Sequence, residues 1–329
     1  MVVPSLDPDA AARVASFGVI PSMRQRGLAA VRQAIEGAPR PDTMPQMSSV
    51  EDCSALGPAG PIPLRIYRPN VQTSSPVLVY FHGGGMVLGS NHSFEPLART
   101  LAAQSKATVV AVEYRLAPEH PAPAQFDDAY AAATWVADNA DRLDVDPRRL
   151  AVVGDSAGGS LAAAVALAAR DLDGPAICCQ VLLYPGLDRD MRARSIIELA
   201  DAPMLSLDDI CFMHELADTD SSAPHGPYRV PAFARDLGGL PPAIVATAEC
   251  DPIRDWGERY AARLRDARVQ VTVTRYPGVY HGFLMRSDAT TRGRLAIAEV
   301  CALLRAKFDH PLLFPDVPIT GQHSDHIDR

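Results

Sequence analysis

Gly154-Asp155-Ser156-Ala157-Gly158 sets a serine between two glycines at a spacing suited to nucleophilic attack. A short β-branched run, Leu150 to Val153, precedes it, and a stretch of small residues with helical character follows. A serine thrust out on a tight strand-to-helix turn takes strained backbone angles, so the residues two before and two after it must be small. Gly154 and Gly158 meet that need, and Gly159 lets the helix pack close to the sheet. The competing account is a glycine-rich turn whose serine merely caps the helix. The strand before and the helix after are the context that the nucleophile requires, and they favour it.

His82-Gly83-Gly84-Gly85 follows a second apolar run, Val77 to Phe81. Acyl transfer creates a negative oxygen, and backbone N–H groups of a glycine loop can approach such an oxygen closely. Strand, glycine loop, helix and a strand ending in Glu113 also resemble a dinucleotide-binding unit. The spacing argues against it. Gly83-x-Gly85-x-x-x-Gly89 is not G-x-G-x-x-G, and Asn91 to Pro96 delays the helix that would meet a pyrophosphate. No G-K-[ST] follows, which excludes a P-loop.

A serine nucleophile needs a base, and the base needs an orienting acid. Of nine histidines, His281 in Tyr280-His281-Gly282-Phe283 lies just past the last expected strand, where a loop can reach the sheet's C-terminal edge. His82 sits in the glycine loop, His120 lies between prolines, and His214 and His225 fall in a polar region. His310, His323 and His326 are near the C-terminus, and His92 has no distinguishing context. For the acid, Asp251 follows the run Ala243 to Ala248 at its exit, with Glu249 and Asp255 as close rivals that residue type does not separate.

The elements that must position these groups read as a mostly parallel sheet covered on both faces. Leu64 to Arg68, Val77 to Phe81, Ala107 to Glu113, Leu150 to Val153, Ile177 to Leu183 and Ala243 to Ala248 are short apolar or β-branched runs. Helical stretches such as Asp127 to Asn139 separate them. Val269 to Tyr276 alternates as a last strand, and Ala296, Val300, Leu303 and Leu304 form a final helical stripe. Leu28, Val31 and Ile35 mark a helical face in the N-terminal segment, which prolines at 39, 41 and 45 close. Between Pro185 and Leu240 the chain is polar and proline-punctuated, and it reads as an insertion rather than another β-α unit. The expected division is 1–47 and 186–235 as two parts of a cap, 48–185 and 236–310 as the catalytic domain, and 311–329 as a peripheral tail.

The 329 residues are 47% hydrophobic and 21% charged, the balance of a globular protein with a large core. The net charge of −8 argues against a surface built for nucleic acid or anionic lipid. The six cysteines include no C-x-x-C pair and read as buried free thiols in a reducing compartment. The N-terminus lacks a signal peptide's basic start, and the longest apolar stretch, Leu161 to Ala169, is too short to span a bilayer. The expectation is a cytoplasmic protein acting on a small molecule without a metal or organic cofactor; a homodimer is left open.

Five segments together resemble the hormone-sensitive-lipase family of α/β hydrolases, which includes many bacterial carboxylesterases. They are His82-Gly83-Gly84-Gly85, Glu113-Tyr114-Arg115-Leu116-Ala117-Pro118-Glu119-His120, Gly154-Asp155-Ser156-Ala157-Gly158-Gly159, Asp251-Pro252-Ile253-Arg254-Asp255 and His281-Gly282-Phe283. They run in the family's order over about 200 residues. The resemblance implies an α/β-hydrolase fold with a helical cap, Ser156 as nucleophile, His281 as base and Asp251 as orienting acid. It also implies an oxyanion hole from the N–H groups of Gly83, Gly84 and Ala157, and hydrolysis of short- to medium-chain acyl esters. Cleavage of a lactone, carbamate or amide by the same residues is the nearest alternative, and a non-catalytic ligand receptor is the alternative from another class. Arg115, Glu119, Asp127 and Asp128 are expected to brace turns, Asp155 and Glu249 to hold the site by hydrogen bonds, and Trp256, Tyr260 and Leu264 to form one core stripe. Cys250, beside the acid, is expected to be a small buried residue.

Overall fold

The computed structural model describes residues 4–69, 74–218 and 226–312. Its centre is an eight-stranded sheet of β1 (Ser49–Gly57), β2 (Gly60–Arg68), β3 (Ser75–Phe81), β4 (Thr108–Val112), β5 (Val145–Asp155), β6 (Cys179–Leu183), β7 (Ala243–Cys250) and β8 (Val271–Tyr280). The order across the sheet is β1-β2-β4-β3-β5-β6-β7-β8. From β4 to β8 neighbouring strands are parallel, while β2 runs antiparallel to both of its neighbours.

Strands buried on both faces read as continuous apolar runs, and their side chains still alternate between two cores. In β3, Val77, Val79 and Phe81 join one cluster, and Leu78 and Tyr80 join the other. Helices α5 (Ala124–Asp138), α7 (Ala157–Asp171) and α10 (Arg254–Asp266) cover the first face, the short α6 (Ala140–Leu143) extending α5. Helices α4 (Glu95–Ser105) and α11 (Thr291–Asp309) cover the second. Every residue of α7 from Ala157 to Ala169 is buried, which its small side chains permit.

Ahead of the sheet lie α1 (Pro8–Ser16), α2 (Met23–Arg26) and α3 (Leu28–Glu36); between β6 and β7 lie α8 (Arg194–Glu198) and α9 (Leu207–Ala217). Val31 of α3, Ile196 of α8 and Ile210 and Met213 of α9 share a third apolar cluster with Val87, Leu88 and Trp256. Thus α2 and α3 pack with the insertion. Helix α1 does not: Ala10 joins the second sheet core, and the Asp7 N–H donates to the Gly278 carbonyl at 2.8 Å.

Three expectations change. β1 is an edge strand whose exposed residues outnumber its buried ones, so it carries no apolar run to announce it. β5 starts at Val145, five residues before the expected run, and Leu303 is only partly buried beside the α11 stripe. The expected tail falls almost wholly outside the described residues.

Candidate active site

The sharpest constraint is at the end of β5. Ser156 has φ +54° and ψ −118°, a strained conformation for a residue with a side chain. A Cβ on Gly154 would stand 2.0 Å from the Gly158 carbonyl oxygen, and one on Gly158 would stand 2.0 Å from the Phe81 carbonyl oxygen. One on Gly159 would meet Pro185 at 2.7 Å. The turn is therefore closed to larger residues on both sides of the serine. The Ser156 N–H donates to Leu183, and its carbonyl accepts from the Gly186 N–H.

His281 follows β8 directly. Its Nε2 lies 2.8 Å from Ser156 Oγ and its Nδ1 lies 2.8 Å from Asp251 Oδ2. Asp251 is wholly buried, and its Oδ1 accepts from the Ile253 N–H at 2.9 Å. The two rival acids face elsewhere. Glu249 accepts from the Gly278 N–H, and Asp255 accepts from the Ser195 N–H and pairs with Arg254. Tyr184 sets its ring edge-on to His281, with centroids 5.1 Å apart.

The glycine loop corrects one expectation. The Gly83 N–H donates to Asp155 Oδ1 at 3.0 Å, so it is turned away from any reacting oxygen. The N–H groups of Gly84 and Gly85 have no acceptor among the described residues. The Ala157 N–H opens α7, where a first-turn donor has no helical carbonyl to bond. Gly84 has φ +115°, and a Cβ there would stand 2.2 Å from the Leu88 carbonyl oxygen. Asp155 also accepts from Tyr80 Oη at 2.7 Å, and complete burial pushes its pKa up to about 6 despite these donors. His82 is stacked between Phe94 and Tyr114, and its Nδ1 donates to the Gly83 carbonyl at 2.8 Å. Burial lowers its pKa to about 4, so the ring is neutral at pH 7.

A cavity of about 470 Å³ opens beside Ser156, with walls from the glycine loop, the start of α5, the chain after β6, and α9. Trp256 lines it instead of continuing the stripe of Tyr260 and Leu264; its Nε1 donates to the Asp190 carbonyl at 3.0 Å, and His214 stacks on it. Asp127 lines it too, although it was expected to brace a turn. Arg115 and Asp128 do brace, through a two-pronged pair, and Glu119 ties α3 to the loop through Arg32. His92 faces Arg40, and Cys250 is buried with its thiol pushed up to about 11. His225, His323 and His326 lie outside the described residues. Arg189, Asp218 and Arg229 line the cavity and were not singled out, since no motif marks them. Among the described residues no group of three or more His, Cys, Asp or Glu is arranged to hold a metal ion, and no helix is long and apolar enough to cross a membrane.

A model of the α/β hydrolase fold matches residues 78–285. The chain belongs to the α/β hydrolases. Within them it falls in the hormone-sensitive-lipase group. The hydrolase is 41% identical to esterase LipI of Mycobacterium tuberculosis, over 83% of this chain and 89% of that one. It is equally identical to carboxylesterase NlhH of the same species, over 78% of this chain and 84% of that one. Among solved structures, a hyperthermophilic esterase from the archaeon Pyrobaculum calidifontis superposes with a TM-score of 0.86. The identity is 38%, and the match covers 92% of this chain and 98% of that one.

Proposed function

We propose that the hydrolase is a serine carboxylesterase acting on short- to medium-chain acyl esters, with Ser156, His281 and Asp251 as its triad. The observation that carries the reading is the continuous hydrogen-bonded line from Ser156 Oγ through both His281 nitrogens to buried Asp251. His281 Nε2 takes the proton as Ser156 Oγ bonds to the ester carbonyl carbon. Asp251 holds the ring and stabilises the imidazolium without itself being protonated. The carbonyl oxygen becomes an oxyanion, which the N–H groups of Gly84, Gly85 and Ala157 meet. The intermediate then collapses, the C–O bond breaks, and His281 returns the proton to the leaving alcohol. Water repeats the attack on the acyl-enzyme, with His281 again as base, and releases the acid and free Ser156.

Helices α2, α3 and α9 act as the cap: α9 forms one wall of a cavity whose volume suits a small molecule, and α2 and α3 share its apolar cluster without lining the cavity. Ile210 and Met213 of α9 face inward, while Asp208 and Glu215 face outward to Arg24. That is not the apolar outer face of a helix that opens at an oil–water interface. The test is a series of p-nitrophenyl esters from two to sixteen carbons, run below any micelle threshold on the native enzyme and on Ser156→Ala. Efficiency peaks at or below about eight carbons, since each added methylene stops contributing its ~0.8 kcal/mol once the pocket is full. Ser156→Ala loses both turnover and fluorophosphonate labelling. A maximum at twelve carbons or more, or labelling that survives Ser156→Ala, overturns the reading.

A further inference from the structure

The direction of one oxyanion donor is set by a strained turn that is held from outside the glycine loop. The N–H of Gly85 belongs to the same planar unit as the Gly84 carbonyl. That peptide is trans, so fixing the carbonyl points the N–H the opposite way. The Gly84 carbonyl accepts from the N–H groups of Val87 at 3.0 Å and Leu88 at 2.9 Å. The turn that supplies these donors passes through Gly85 at φ +63° and Met86 at φ +66°, and Met86 carries a side chain. A strained turn of this kind persists only where its surroundings over-determine it.

Arg32 of α3 supplies much of that hold. Its Nε donates to the Val87 carbonyl and its Nη2 to the Ala117 carbonyl, each at 2.8 Å. Ala117 in turn donates its N–H to the Met86 carbonyl at 2.9 Å. The guanidinium thus spans the two segments that meet at Met86, and Glu119 fixes its plane by accepting from both terminal nitrogens. One helical turn further along α3, both oxygens of Glu36 accept from the Ser90 hydroxyl at 2.8 Å. Helix α3 therefore grips the exit of the glycine loop at two points. None of its residues lines the cavity, so α3 reaches the chemistry only through this loop.

We propose that Arg32 is a positioning residue for ester hydrolysis, holding the 86–88 turn and through it aiming the Gly85 N–H at the oxyanion. The inference rests on the carboxylesterase reading, since that reading gives the Gly85 N–H an oxyanion to meet. Removing a whole donor of this kind costs ~10²- to 10³-fold in kcat, and letting one swing out of line costs less.

A staple that merely kept α3 in place would change stability and leave the transition state alone, and the experiment separates the two roles. Arg32→Met keeps the aliphatic stem and removes every donor, while Arg32→Lys keeps the charge and can meet one carbonyl but not two. Arg24→Ala loosens the cap without touching the loop and serves as control. Each variant is assayed with p-nitrophenyl acetate well below its melting temperature. Two inhibitors are compared on each. One is an aryl trifluoromethyl ketone, to whose carbonyl carbon Ser156 Oγ adds, its proton passing to His281 and the carbonyl oxygen becoming an oxyanion. The other is the matching carbinol, which forms no adduct. In Arg32→Met, kcat falls roughly 10- to 30-fold while KM stays within about threefold. The ketone weakens by a similar factor and the carbinol by less than about twofold. Arg32→Lys recovers part of both losses, and Arg24→Ala shows neither. A native kcat in Arg32→Met overturns the proposal, as does equal weakening of ketone and carbinol or the same losses in Arg24→Ala. If Arg32→Met does not fold, Arg32→Lys decides alone: its ketone weakens more than its carbinol, and native binding of both overturns the proposal. A native enzyme that cleaves no ester and takes up no ketone refutes the carboxylesterase reading, whereas an active native enzyme with unaltered Arg32 variants refutes this inference alone.

Discussion

Around Ser156 the backbone is held by contacts that leave it no freedom, whereas α2 and α9 are held to each other by side chains that reach across the protein surface. At the floor, carbonyl oxygens stand where any Cβ on Gly154 or Gly158 would go, and buried Asp155 ties the glycine loop to the serine turn. At the cap, Arg24 grips Asp208 and Glu215 in exposed pairs, and the Met23 N–H donates to Asp209 at 2.7 Å. Exposed pairs contribute little, and the shared apolar cluster under them is smaller than either sheet core. The difference matches two tasks. Geometry for bond-making must be fixed within fractions of an ångström, while a wall that selects substrates can be rebuilt without disturbing it.

The strongest way to break this comparison is at the floor. Asp251→Asn keeps the shape but removes the charge that fixes the His281 tautomer and steadies its cation. kcat should fall by ~10⁴, as in the analogous triad. Glu249→Gln and Asp255→Asn alter groups bonded to Gly278 and Ser195 instead, and should each lower kcat less than tenfold. Steady-state kinetics on the three variants checks the order. A larger loss at either rival acid would mean that the line through Asp251 is not the one used.

A smaller effect tests whether the floor's burial is felt by the whole fold. The pKa of His82 drops from 6.5 to about 4 on folding, so the stability it contributes is full above pH 6.5 and is lost as pH falls through 4. Over that window the loss approaches about 3 kcal/mol. Asp155 has the opposite sign. Its pKa rises from 3.8 to about 6, so its contribution is full below pH 3.8 and is lost as pH rises through 6. In His82→Phe the ring stacking is kept while the Nδ1 bond to Gly83 and the titration are removed. The variant should be about 1 kcal/mol less stable at pH 7 and more stable than the native protein near pH 4. Urea denaturation at pH 7, 6, 5 and 4 checks it; parallel curves would place the acid sensitivity elsewhere.

What could be read from sequence follows the same line between floor and cap. The parallel strands were legible because burial on both faces forces continuous apolar runs, and the glycines around Ser156 because a steric demand limits residue type. β1 was not, since an edge strand needs hydrogen bonds more than apolar side chains. Asp251 could not be separated from Asp255 by type, because their different surroundings arise from loops that bring Ser195 and His281 from distant parts of the chain. Gly83 was legible as a loop residue but not as a donor already committed to Asp155, since a peptide's orientation leaves no trace in composition. Trp256 fits the spacing of Tyr260 and Leu264 on one helix, yet at the helix start it reaches past the sheet core to the cap cluster. Arg189 and Asp218 belong to no motif at all. Pocket chemistry is assembled by tertiary contacts between segments with no local pattern to keep.

The gentlest test is on the cap itself. Arg24 sends Nε to Asp208 at 3.1 Å and both terminal nitrogens to Glu215 at 2.8 Å, and its guanidinium lies 5.1 Å from the Phe212 ring. The fork joins α2 to α9 at two points, but water competes for every one of its donors. Arg24→Ala should therefore move the melting temperature by no more than about 2 °C, and should change kcat for an acetyl ester by less than about threefold. Its effect should appear locally instead. Amide hydrogen exchange in α2 and α9 should quicken while β3, β5 and α7 keep native rates, because the floor's contacts do not pass through this pair. Raising the salt concentration in the native protein should reproduce part of that local quickening by screening the same charges. If Arg24→Ala instead lowered the melting temperature by ten degrees, or quickened exchange of the protected floor amides together with those of the cap, the two regions would form one cooperative unit. Their separation into a rigid floor and a replaceable wall would then have to be abandoned.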